Sequence, residues 1–116
     1  MPNHINQRIA SLRNLIGSGL HQANLDKVTF ECSGLAQDTS YVLVFYVLKR
    51  IFAEMSAALD GEAVVVEQLS DLTREISEPV LLILNKVSNA EKIEAAELES
   101  IVSTHLRNLH VFRASR

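Results

Sequence analysis

The side chains whose types and spacing suit chemistry are carboxylates, one histidine and one cysteine. Glu67, Asp71 and Glu75 recur every four residues, and Glu91, Glu94 and Glu97 every three, so each set forms a ladder along one helix face. Carboxylates from facing helices can hold Mg²⁺ while a phosphorylated substrate completes its coordination shell. Glu75-x-x-Glu78 and Glu94-x-x-Glu97 echo such a site only loosely, since neither Glu-Glu-x-x-Glu nor Glu-x-x-Asp occurs and Pro79 interrupts the helix of the first pair. The ladder at Glu67, Asp71 and Glu75 also lies opposite an apolar stripe, and that back face of an amphipathic helix belongs to solvent. It reads better as an acidic surface for a basic protein partner than as a metal centre.

His105 stands where the last helix should carry an apolar residue. A general base, a ligand and a pH-sensitive interface residue are the functional readings of such a histidine. A core histidine with satisfied nitrogens is the plainer one, since most polar groups on an apolar face find partners there. Its neighbours four residues away, Ile101 and Leu109, offer no chemistry, so any partner has to come from another helix. His105 and His110 are five residues apart, which sets them about 140° apart on a helix and unable to chelate together. No C-x-x-C, H-E-x-x-H or Glu-x-x-His occurs, and no metal or cofactor is expected. Cys32, in Phe-Glu-Cys-Ser-Gly, has no nearby histidine to lower its pKa, so nucleophilic catalysis has little support. Gly17-Ser18-Gly19 and Ser33-Gly34 match neither glycine-rich phosphate loop and read as helix stops.

These residues have to be held by helices. The chain has 116 residues, 47% of them hydrophobic, with only 2 Pro, 4 Gly and 5% aromatics, which suits one domain with an aliphatic core. Ile5, Ile9, Leu12 and Ile16 make a first amphipathic helix, ended near Gly17 or Gly19. Residues 20–37 form no clear pattern, because Val28, Phe30 and Cys32 alternate like a strand while Leu20 and Ala23 suit a helix. This segment is expected to be irregular. Asp38, Thr39 and Ser40 then cap a helix over Tyr41–Leu59. Its seam is Tyr41, Phe45, Leu48, Phe52, Met55 and Leu59, but its first two turns are apolar on every side, with no polar back before Lys49 and Arg50. A helix of that kind is enclosed by other helices or by a second chain. Val65, Leu69, Leu72 and Ile76 seam a third helix that stops near Ser77-Glu78-Pro79, and V-L-L-I-L-N-K-V makes a short buried one. Ser88 and Glu91 match a capping box for a last helix from about Ala90 to Phe112.

The expected fold is therefore an all-α bundle of four to five helices in a single domain. Its surplus apolar surface points to a symmetric helical homodimer. Phe45, Phe52, Met55 and His105 are the candidate interface or pocket residues.

The net charge of −3 hides a segregation, with 11 acids and 3 bases between Glu54 and Glu99, and then 3 Arg, 2 His and no acid from Ser100 onward. Basic residues at the end of the last helix suit its dipole without any ligand, and the overall basic footprint of a nucleic-acid binder is missing. One cysteine, no signal-peptide pattern and no apolar run of bilayer length point to a cytoplasmic protein that does not cross a membrane. A small protein-interaction or regulatory adaptor is the reading these features favour. A Mg²⁺-dependent nucleotide- or phosphate-processing enzyme and a small-ligand-binding bundle are the alternatives.

Overall fold

The computed structural model describes the backbone of residues 2–59 and 66–114, and the side chains of residues 4–21, 23–58 and 74–110. Its elements are helices α1 (Pro2–Gly17), α2 (Gln22–Asp38), α3 (Val42–Leu59), α4 (Val66–Ser88) and α5 (Ala95–Ala114). The fold is all-α, as the periodicity predicts. No described helix is long and apolar enough to cross a membrane.

Contacts among the described residues run α1 to α2, α2 to α3, α3 to α5, α5 to α4 and α4 back to α1, which closes a ring. The α2–α3 contact is the most extensive. The last helix sits between α3 and α4, although it follows both in sequence. The ring encloses one cluster: Ile9, Leu12 and Ile16 from α1, Leu25, Val28, Cys32 and Leu35 from α2, Phe45, Leu48 and Phe52 from α3, Ile76, Val80, Ile83 and Leu84 from α4, and Leu98 and Ile101 from α5. Each set follows three-and-four spacing, so one stripe per helix turns inward. Phe45, Phe52 and Met55, all expected in the seam of α3, are buried.

Residues 22–38 correct the expectation of an irregular segment, for they form a continuous helix. The strand-like alternation misled because it counted Phe30 with Val28 and Cys32. Phe30 is 76% exposed, whereas Leu25, Val28, Cys32 and Leu35 are buried at helical spacing. Asn24 starts this helix firmly, donating from Nδ2 to the carbonyls of Gly19 (2.9 Å) and Leu15 (3.3 Å) that the end of α1 leaves open. Gly19, at φ +109°, supplies the left-handed turn between the two helices.

Helix α4 corrects a second expectation: it passes through Pro79 without stopping. Proline removes one helical donor, at a cost of about 3 kcal/mol. Ile76, Val80, Ile83, Leu84 and Val87 carry a single buried face across it, and each such side chain contributes roughly 1.5–3 kcal/mol. Burial outweighs the break.

The third correction concerns Ser88, which ends α4 and does not begin α5. The Ala90 N–H bonds to the Val87 carbonyl (3.0 Å) and the Glu91 N–H to the Lys86 carbonyl (2.9 Å), with Ala90 itself at φ +56°. That is a Schellman ending with alanine in the position glycine usually takes. Ser88 Oγ is buried without a hydrogen-bond partner among the described residues. The start of α5 is capped by Glu97, whose Oε1 accepts the Glu94 N–H (3.4 Å) and the Lys86 ammonium (2.7 Å).

The hydrogen bond from Lys86 holds the Glu97 carboxyl below the usual carboxylate range, and the same bond raises the Lys86 ammonium. A depressed carboxyl stabilises the fold above its ordinary value and loses that contribution as the pH falls through it. A raised ammonium contributes below the ordinary lysine value and loses its contribution as the pH rises. Glu97→Gln should therefore lower the melting temperature at neutral pH and leave little difference from wild type below the carboxylate range. Thermal melts of both proteins across pH read this directly.

Candidate functional site

His105 is 2% exposed on α5, and Glu54 reaches it from α3 with Oε2 2.8 Å from the ring Nε2. A carboxylate only accepts, so Nε2 carries the proton and donates it. Nδ1, equally buried, has no hydrogen-bond partner among the described residues. Arg50, one turn earlier on α3, approaches the other oxygen of Glu54 at 3.7 Å. The three make a short relay from solvent to the core: Arg50 exposed, Glu54 half-buried, His105 sealed. A general base needs an open path from its lone pair to a substrate proton. In this arrangement one ring nitrogen is taken by Glu54 and the other is buried. The geometry serves to fix α3 against α5.

Phe45, Phe52, Met55 and His105 are all buried. Three hollows along α3 and α5 among the described residues are lined by other side chains. Helix α4 carries Glu67, Asp71 and Glu75, but the side chains of Glu67 and Asp71 lie outside the described residues. Glu75 is exposed, and its Oε2 pairs with Arg107 of α5 at 3.2 Å. Among the described residues, no three His, Cys, Asp or Glu side chains gather where a metal ion could be held. Cys32 lies in the core, and burial, reinforced by Glu31, pushes its thiol up to about 12. It is therefore a thiol and not a thiolate at neutral pH.

The feature the sequence located only in part lies on the outer side of α3. Val42, Leu43 and Tyr46 are each at least half exposed, and Leu106 on α5 stands 57% exposed beside them. They line a groove made of adjoining hollows. The first runs from Ser40–Val44 to Ala90–Ile93, Ala95 and Leu98. The second holds Leu43, Val47, Ala95, Leu98, Glu99, Val102 and Ser103. The third holds Leu43, Tyr46, Val47, Arg50, Ile51, Glu54, Val102 and Leu106. Leu43 belongs to all three, so the groove is continuous.

Polar contacts fix both ends. Tyr41 donates its hydroxyl to the Glu91 carbonyl (2.8 Å) at one end, and Glu54 holds His105 at the other. The pairing of 41 with 91 and of 54 with 105 shows that α3 and α5 run in the same direction along it. Contiguous exposed apolar surface of this kind marks an interaction site more often than a catalytic one. Comparison with protein-family models, with curated proteins and with solved structures finds no match.

The relay sets a mutational expectation. Glu54→Ala leaves His105 buried without a partner and should cost about 1–3 kcal/mol. Glu54→Gln retains an acceptor oxygen and should cost less than half of that. Urea unfolding midpoints of the two variants and wild type give the comparison.

Proposed function

We propose that this protein is a small cytoplasmic protein-interaction module, an adaptor or regulator, that works as a helical homodimer. The observation that carries the reading is the apolar groove along α3 and α5, with Val42, Leu43, Tyr46 and Leu106 exposed together. A Leu or Val left in water forgoes roughly 1.5–3 kcal/mol of burial. Several side by side are the signature of a surface completed by another protein. Support also comes from the titratable groups, because His105 is closed off by Glu54 and Cys32 is held as an inert thiol. The face of α4 bearing Glu67, Asp71 and Glu75 has a place in this reading as the docking ground for a basic protein. Glu75 already has Arg107 beside it, so the groove is the stronger surface of the two.

Two measurements test the reading. Light scattering behind a sizing column, at several concentrations, should give twice the mass of the chain, and a strict monomer would refute the homodimer. A melting screen with Mg²⁺, Mn²⁺ and nucleotides should leave the melting temperature unchanged. A ligand at a hundred times its Kd adds about 2.7 kcal/mol, so a clear rise would favour a phosphate-processing enzyme.

A further inference from the structure

We infer that the hollow between α4 and α5 docks a basic amphipathic helix of a partner protein, seating one apolar side chain beside Leu82 with a lysine or arginine on either side of it. This rests on the reading of α4 as docking ground for a basic protein, and it gives that surface an anchor and a spacing.

Helices α4 and α5 run antiparallel, because Lys86 pairs with Glu97 at one end and Glu75 with Arg107 at the other. Between the two pairs lies a hollow lined by Pro79, Leu82 and Ile83 of α4 and by Ala96, Ser100 and Ile101 of α5. Ile83 and Ile101 are buried, whereas Leu82 stands 64% exposed. Ala96 and Ser100 are small, so the wall of α5 stays low and leaves room for a side chain from outside. The hollow flanks α5 on the side away from Leu43 and Val47.

Acids gather at both ends of it. On α4, Glu67, Asp71, Glu75 and Glu78 stand against Arg74 alone, and at the other end Glu91, Glu94, Glu97 and Glu99 stand against Lys92 alone. Arg107 and Lys86 offset one carboxylate each, at Glu75 and Glu97. The Glu97 hydrogen bond raises the Lys86 ammonium, and Glu91 and Glu94 add to the effect from nearby. Glu78 is exposed, and no cation pairs with it among the described residues.

This arrangement selects the occupant. Glu78 precedes Leu82 by four residues and Lys86, with its three acids, follows by four, each about 6 Å along α4. On a partner helix laid along α4, side chains four residues either side of the apolar anchor share its face. Lysine or arginine there meets both acidic ends. A wholly apolar helix would cover Glu78 without supplying a counter-charge, which is costly. Nucleic acid is repelled by the same charge.

The test is fluorescence anisotropy with a labelled synthetic helix carrying leucine flanked by lysine four residues on each side, on an alanine and glutamine background. It should bind, and the same helix with glutamate for lysine should not. Glu78→Lys and Leu82→Asp should each weaken binding about tenfold or more. Leu82→Ala should weaken it about threefold, and Leu43→Asp, on the other flank of α5, should leave it unchanged. The substituted positions are exposed, so the variants keep the fold, and circular dichroism verifies that. Binding that ignores Glu78→Lys and Leu82→Asp, or is lost with Leu43→Asp instead, would overturn this site and leave a basic partner in place. Failure of the lysine helix to bind wild type would overturn the basic-partner reading as well. A dimer that Leu82→Asp converts to monomer in light scattering would give the hollow to a second copy and overturn the inference.

Discussion

The structure depends on one constraint: α3 begins with residues that are apolar on all sides and therefore has to be covered on two faces. The inner face carries Phe45, Leu48 and Phe52, which are fully buried, and Val44, Ile51 and Met55, nearly so. Helix α2 supplies most of that cover, which explains why α2–α3 is the broadest contact in the ring. Helix α5 then inserts between α3 and α4 and covers one flank. None of the five described helices covers the outer flank, and Val42, Leu43 and Tyr46 stay in solvent. The homodimer reading follows from that remainder.

Polar contacts set how the helices meet more than how strongly they hold. Arg8 of α1 lies over Gly34 of α2 and pairs with Asp38 at 2.6 Å, with Glu31 at 3.9 Å, and a methyl at position 34 would collide with its guanidinium. Arg13 of α1 reaches Asn85 of α4, Ser56 of α3 donates to Asp26 of α2, and Lys86 of α4 meets Glu97 at the start of α5. Solvent-exposed pairs of this kind are worth about 0–1 kcal/mol each, so their main effect is to select one register of the aliphatic ridges over its neighbours. The half-buried pair His105–Glu54 belongs to the same scheme, and it fixes the end of the groove where Arg50 projects.

The strongly periodic elements were legible in the amino-acid sequence, and the places where two principles compete were not. The first helix and the seam of α3 from Phe45 to Met55 read correctly because one spacing dominates each, while the side chain of Leu59, the last seam residue expected, lies outside the described residues. In α2, Phe30 broke the helical stripe by being apolar and exposed, and only tertiary packing shows which apolar residues turn inward. At Pro79, a local rule for ending helices lost to a buried face that continues past it. At Ala90, an alanine occupies the left-handed position that glycine would have advertised, so the end of α4 resembled the start of α5. His105 announced that it needed a partner from another helix, but nothing local distinguished Glu54 from the other acids. The surplus apolar surface was legible as a quantity. Its position became visible only when α5 was seen to cover one flank of α3 and leave the other bare.

The central claim is that the bare flank of α3 is covered by a second copy of the same chain. Isotope-filtered NMR on a mixture of labelled and unlabelled protein tests it most directly, because it detects only contacts between different copies. Intermolecular cross-peaks from the Val42, Leu43 and Leu106 methyls and from the Tyr46 ring, the exposed apolar groups of the groove, are the predicted result. Intermolecular cross-peaks confined to Leu82 and its surroundings, or none at a concentration where the mass is that of a dimer, would contradict it.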